Sequence, residues 1–345
     1  MESSIQKTDL KSLSKGAVES FIRDSGLPAF RSRQILHWIY ERYARSIDEI
    51  TELSKKLREE LSERAYISNL ALIDRMTSQD GTEKFLFGLE DDETIESVLI
   101  PDEERLTLCI SSQVGCAMGC VFCLTGKSGL KRNLGPHEII DQVISVNRLI
   151  LPRRITNIVL MGMGEPLANF DNVVEALRRI IGLMMISPRR VTLSTSGIVP
   201  RIAELGQLDL KINLAISLNA TTDMVRDVIM PINKTYPIKA LLDACRKFPL
   251  QMTRRITFEY VMLKDINDST ADAKRLVKLL YGSQSKINLI PFNPYSDCEY
   301  ERPDDIAVLR FQKILAGADM TVIIRKSKGQ DILAACGQLK ARCKS

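Results

Sequence analysis

LTLCISSQVGCAMGCVFCLTG, residues 106–126, decides the architecture of this chain. LTLCISS (106–112) reads as a short strand. It runs into a glycine-containing loop that carries Cys116, Cys120 and Cys123. Outward from this stretch the same pattern recurs. TNIVLMG (156–162), RVTLSTS (190–196), KINLAIS (211–217), RITFEYVML (255–263) and KINLIP (286–291) are short apolar runs, and MTVIIR (320–325) closes the series. Helical stretches such as HEIIDQVISVNRLI (137–150) and DNVVEALRRIIGLM (171–184) lie between most of them. Repeated strand-then-helix units imply a parallel sheet. About six units predict a partial parallel (β/α)6-type barrel, whose chemistry sits at the C-terminal ends of the strands.

Two flanking regions differ in pattern. Residues 1–75 read as a small helical domain. Ile35, Leu36, Ile39, Tyr40 and Tyr43 form one apolar stripe, and Leu53, Leu57 and Leu61 form a second with Thr51 as its cap. KFLFGL (84–89) and TIESVLI (94–100), joined by the acidic turn EDDE, predict a hairpin. The chain thus divides into 1–75 and a core of 76–345. That core comprises a hairpin extension (76–105), the barrel (106–325) and a segment (326–345) whose small residues and Gly337 suggest mobility.

Of the 345 residues, 45% are hydrophobic and 26% charged, an ordinary globular balance. No apolar run approaches the roughly 18 residues of a membrane span, and the N-terminus has no signal core. A cytosolic protein is expected. The net charge of +5 is compatible with a polyanionic partner without demanding one. In a reducing compartment, eight cysteines point to metal binding or catalysis rather than a disulfide framework.

Three of those cysteines fall in the pattern Cys116-x3-Cys120-x2-Cys123. Three thiolates bind three irons of a four-iron cluster and leave the fourth iron open. An open iron can chelate the amino and carboxylate groups of S-adenosylmethionine (SAM). Structural zinc is the competing reading. It wants four ligands, usually as two separated pairs, and the chain has only His37 and His137 besides its cysteines. Cys109 or Cys336 would have to serve as a remote fourth ligand.

The cysteine spacing is similar to the signature of the radical SAM superfamily. MGMGEPLANF (161–170), RRVTLSTSG (189–197), LAISLNA (214–220), IMPIN (229–233), NLIPFNP (288–294) and DILAACGQL (331–339) together resemble the RlmN/Cfr family of adenine methyltransferases. FRSRQILHWIY (30–40) extends the resemblance into the helical domain, so it covers essentially the whole chain.

The resemblance implies a [4Fe-4S] cluster on Cys116, Cys120 and Cys123, and two SAM molecules consumed per methylation. It implies SAM contacts from Gly164, Glu165, Ser194, Ser217, Leu218, Asn219 and Asn293. Family members often have histidine where Asn219 stands. Cys336 would accept a methyl group and carry it to the substrate. Cys109 would resolve the resulting adduct by forming a transient disulfide with Cys336, and Glu96 would accept the substrate proton. By residue type alone, Cys109 reads as a small core residue and Glu96 as a solvated strand carboxylate. Cys245, Cys298 and Cys343 belong to no motif.

The implied substrate is an adenosine of 23S rRNA in the peptidyl transferase centre, with tRNA as a second substrate. Carbon 2 is favoured over carbon 8. A flavodoxin- or ferredoxin-type electron donor, a monomer and a cytoplasmic location go with this reading. Lys131-Arg132, Arg153-Arg154, Arg189-Arg190 and Arg254-Arg255 could neutralise phosphates, though a solvated surface is the favoured reading of any single pair. Two other classes stay open on sequence: a radical SAM enzyme with a non-RNA substrate, and a non-catalytic zinc or RNA-binding module.

Overall fold

The computed structural model describes residues 7–296 and 298–340. Cys343 and the end of the 326–345 segment lie outside them. Strand β1 (Thr8–Asp9) leads into helices α1 (Lys15–Asp24), α2 (Phe30–Tyr40) and α3 (Lys55–Arg64), and β2 (Ala65–Tyr66) returns to pair with β1. Ser14 accepts the Ala17 amide and Ser54 the Leu57 amide, so hydroxyl caps set the starts of α1 and α3. Thr51, the cap expected from sequence, lies before a serine that is closer to the helix and already extended. Ile35, Leu36, Ile39 and Tyr40 are buried as the stripe predicts.

The helical region ends earlier than expected, because β3 (Ala71–Thr77) is a strand. All but one of its side chains are exposed. An edge strand held by its backbone ladder shows no alternation of burial for sequence reading to detect. It opens an antiparallel run through β4 (Glu83–Gly88), β5 (Thr94–Asp102) and β6 (Arg105–Cys109). β7 (Gln113–Gly115) and β8 (Leu130–Asn133) pair antiparallel around the cysteine loop, which holds the short α4 (Leu124–Lys127).

The alternating part then follows: α5 (Pro136–Leu149), β9 (Asn157–Leu160), α6 (Phe170–Gly182), β10 (Val191–Thr195), α7 (Val199–Gln207), β11 (Asn213–Ser217), α8 (Asp223–Ile229), α9 (Ile238–Lys247), β12 (Ile256–Met262), α10 (Thr270–Leu280), β13 (Ser285–Pro291), α11 (Asp305–Ala316) and β14 (Val322–Ile324). The ten-stranded sheet runs β14-β13-β12-β11-β10-β9-β6-β5-β4-β3 and does not close. From β6 to β14 every neighbouring pair is parallel. In a flat sheet, β9 and β14 would stand about 24 Å apart. Yet Gly162, just after β9, and Arg325, just after β14, line one cleft. The parallel strands are therefore curved into a partial barrel.

A buried ion pair ties the helical region to this core. Lys11 Nζ lies 2.6 Å from Asp141 Oδ1 on α5, with both side chains almost fully shielded. The same ammonium donates to the Ser68 carbonyl, and Asp141 Oδ2 accepts the Leu70 amide at 2.6 Å. Arg179 on α6 donates to the Lys11 carbonyl at 2.8 Å. Burial pulls the Lys11 ammonium below its ordinary pKa, and Asp141 opposes that pull. Removing one partner strands the other charge, which typically costs about 3–5 kcal/mol. Asp141→Ala is expected to lower stability by that amount in denaturant unfolding. A Lys11→Met/Asp141→Leu double variant should lose distinctly less.

Candidate active site

The cysteine loop is built by local constraints. Gly115 has φ +77°, and a Cβ there would lie 1.9 Å from the Gly129 carbonyl oxygen, so only glycine closes the β7–β8 hairpin. The Cys116 amide donates to that same carbonyl at 2.8 Å. The Cys123 amide donates to the Cys120 carbonyl at 3.1 Å, turning the chain back on itself. All three thiols face one open cleft at the C-terminal ends of the parallel strands. The cleft encloses about 920 Å³, its mouth included.

Burial pushes the Cys116 thiol up to about 12, and raises Cys120 and Cys123 as well. Without a cation these groups stay protonated at neutral pH. Bound iron reverses that balance by stabilising thiolates. The donor set is all sulfur, lies on one loop and borders a cleft with room for a ligand. It fits an iron–sulfur cluster with an open coordination position. A closed zinc site would want a fourth ligand, and the loop supplies three thiols.

Opposite the cysteines, strand ends supply the rest of the cleft. Gly164 has φ +100°, and a Cβ there would meet the Gln113 Cβ at 2.6 Å. Glu165 is buried and already held by three donors. Its Oε1 accepts from Thr195 Oγ1 at 2.6 Å and the Leu167 amide at 3.0 Å, and its Oε2 accepts the Ser196 amide at 2.7 Å. Burial raises its pKa, while those donors pull it back toward the charged form. A carboxylate fixed in this way suits an ammonium group. Ser194, Ser217, Asn219 and Asn293 also line the cleft, as expected. Leu218 does not: its side chain is fully buried, and its backbone carbonyl accepts from Arg226 Nε.

The C-terminal segment crosses this cleft rather than trailing away from it. Cys336 and Gly337 are lining residues. The Leu124 amide donates to the Gly337 carbonyl at 2.7 Å, and Thr125 Oγ1 donates to the Leu339 carbonyl at 2.6 Å. Gln330 Nε2 donates to Asn293 Oδ1 at 2.8 Å. Ser78 and the Gln79 amide both donate to Asp331. Small residues suggested mobility, but residues 329–340 are pinned here along much of their length.

Cys109 and Glu96 lie outside the cleft lining. Cys109 is buried at the end of β6, where burial and the neighbouring Cys336 push its thiol up to about 12. Glu96 is also buried, contrary to the solvated face its residue type suggests. Its Oε1 lies 3.2 Å from Lys84 Nζ, and its Oε2 accepts the Lys340 amide at 2.9 Å. The C-terminal segment therefore covers it. Cys245 is buried on α9, and Cys298 is half-buried beyond β13.

Sequence reading missed two charged groups. Arg325 enters the cleft and faces Cys336, Glu259 and Cys109, with the Cys336 sulfur as the strongest influence raising its pKa. Glu259 is buried, accepts from Asn288 Nδ2 at 3.0 Å, and has its carboxyl raised by burial against the pull of Arg325. A lone acid inside the apolar run RITFEYVML was the available signal. Of the basic pairs, Arg189-Arg190 and Arg254-Arg255 immediately precede β10 and β12, and Arg153-Arg154 lies shortly before β9, at the strand ends away from the cleft. Arg254 donates to the Ile212 carbonyl, and Arg154 stacks over Tyr43.

Curved parallel strands, a three-cysteine loop and a carboxylate-bearing glycine turn around one cleft define a radical SAM enzyme. The Radical SAM superfamily model matches residues 110–277, and the model of the ribosomal RNA large subunit methyltransferase N-terminal domain matches residues 8–67. The dual-specificity RNA methyltransferase RlmN of Pelobacter propionicus is 54% identical over 339 residues, covering 98% of this chain and 97% of the relative. The protein of the same name from Geotalea uraniireducens is 52% identical over 340 residues, covering 98% of each. The crystal structure of a radical SAM methyltransferase from Sphaerobacter thermophilus matches with a TM-score of 0.93 at 40% identity, over 98% of this chain and 100% of that one. The chain belongs to the RlmN family of radical SAM RNA methyltransferases.

Gly164→Ala forces a side chain into the Gln113 backbone and a φ that alanine resists, at about 1–3 kcal/mol. SAM affinity of the iron-loaded enzyme should fall by about tenfold or more, since that strain is felt at the binding turn. Isothermal titration with SAM checks it.

Proposed function

We propose that this enzyme methylates carbon 2 of an adenosine in 23S rRNA, and of a tRNA as second substrate, through a methyl group carried on Cys336. The observation that carries this reading is the position of Cys336. It lines the cleft with the cluster cysteines, and both Cys109 and Arg325 lie within its electrostatic reach. The dual-specificity name of the relatives supports two RNA substrates.

The Cys336 thiolate takes the methyl group of one SAM by displacement, forming a sulfur–carbon bond as S-adenosylhomocysteine leaves. When bound, the cluster with a second SAM supplies the radical that removes a hydrogen from the S-methyl group. A flavodoxin- or ferredoxin-type donor is the proposed electron source. The methylene carbon on Cys336 then bonds to the adenine. Glu96 accepts the proton displaced from the ring carbon, and the adduct gives up one electron to the oxidised flavodoxin- or ferredoxin-type carrier, which restores the aromatic ring. Glu96 accepts the Lys340 amide in this structure, so the C-terminal segment must shift before a base reaches it. The Cys109 thiolate attacks the Cys336 sulfur and forms a disulfide. The released methylene takes a proton to become the methyl group, and an external dithiol restores both thiols. Burial keeps Cys109 a thiol, so it needs a base or a loosened environment before it attacks.

We assign Gly164, Glu165, Ser194, Ser217, Asn219 and Asn293 to SAM, with Leu218 contributing backbone alone. The N-terminal helical region helps hold the RNA. A cytoplasmic monomer is the matching state. Cys336→Ala should abolish RNA methylation, and Cys109→Ala should accumulate a covalent protein–RNA adduct on denaturing gels. Mass spectrometry of digested RNA should show 2-methyladenosine. 8-Methyladenosine instead would sink the carbon-2 assignment, and full turnover by Cys336→Ala would sink the relay.

A further inference from the structure

A second cavity lies against the cysteine loop. Gly115 and Leu124, the residues that flank the cluster cysteines, form part of its wall. Lys127, Lys131 and Lys340 line it, against the single carboxylate of Glu93. Lys131 Nζ lies 2.8 Å from Glu93, so the charge is partly balanced at that corner. The Lys127 ammonium sits 5.2 Å from the centre of the Tyr295 ring, which orients it. All three lysines are exposed.

We infer that this cavity is a phosphate subsite for the RNA strand that flanks the target adenosine. The inference rests on the RNA methylation proposed above and deepens it. A base turned into the cleft brings its neighbouring phosphates to the rim, within a few ångströms of the cysteine loop. That strand needs cations on this face. The three arginine pairs apparent in the sequence sit at the opposite strand ends and cannot serve. The lysine cavity has the sign and the position. It also shares a wall with the segment that bears Cys336, because Lys340 follows that cysteine by four residues. A phosphate held by Lys340 therefore acts on the segment that must move off Glu96.

The test uses iron-loaded full-length enzyme, a 23S rRNA transcript fragment containing the target adenosine, and Lys127→Ala, Lys340→Ala and the double variant. Filter binding over a salt series should show weaker RNA binding in each. The slope of log K against log salt should flatten by about 0.7 for each lysine removed. Dithionite-driven SAM cleavage without RNA should stay at the wild-type rate, since neither side chain lines the SAM cleft. RNA affinity and salt slope unchanged in the double variant would overturn the inference. So would a loss confined to flavodoxin-driven turnover with RNA binding intact, which would assign the cavity to the acidic electron donor. Wild-type enzyme that binds no RNA would overturn the parent reading as well, and is recognised without any variant.

Discussion

The hydrogen bond from the Leu124 amide to the Gly337 carbonyl joins the two chemistries of this protein. Leu124 follows Cys123 of the three-cysteine loop, and Gly337 follows Cys336. More than two hundred residues separate them in the chain. The Thr125 hydroxyl bond to the Leu339 carbonyl doubles the link. These contacts hold Cys336 in the cleft beside the three-cysteine loop. Ile332, Ala334 and Leu339 anchor the segment in the main apolar core, and polar contacts to the cysteine loop, Asn293, Ser78 and Glu96 define its path between them.

The strand ends are held by groups that would be costly if left alone. Glu165 collects two donors from the end of β10 and one from its own turn. Arg226, fully buried, donates to the carbonyls of Ser196, Ser217 and Leu218. Burial pulls its guanidinium down to about 10 against the neighbouring Cys120 and Asp223. An acid and a base thus clamp the same turns, one through N–H and O–H donors and the other through carbonyls. Small ligand-facing residues such as Ser194 and Ser217 are fixed in place by that frame.

Much of the fold was legible because its signals are local. Strand-then-helix alternation follows from burial of both sheet faces, and the hairpin at 83–102 follows from its acidic turn. β3 was missed because its exposed side chains carry no pattern. Where the basic pairs sit was not legible, because doublet composition says nothing about which end of a strand it precedes.

By itself, the sequence determined the three-cysteine loop, the parallel architecture and the family, since spacing and periodicity are properties of neighbouring residues. Only the tertiary structure decided that Arg325 and Glu259 line the cleft with Cys336, that Glu96 is buried beneath the C-terminal segment, and that a lysine-lined cavity lies against the cysteine loop. Those depend on which strand ends converge when the sheet curves. Convergence is set by packing over the whole chain, and no local stretch encodes it.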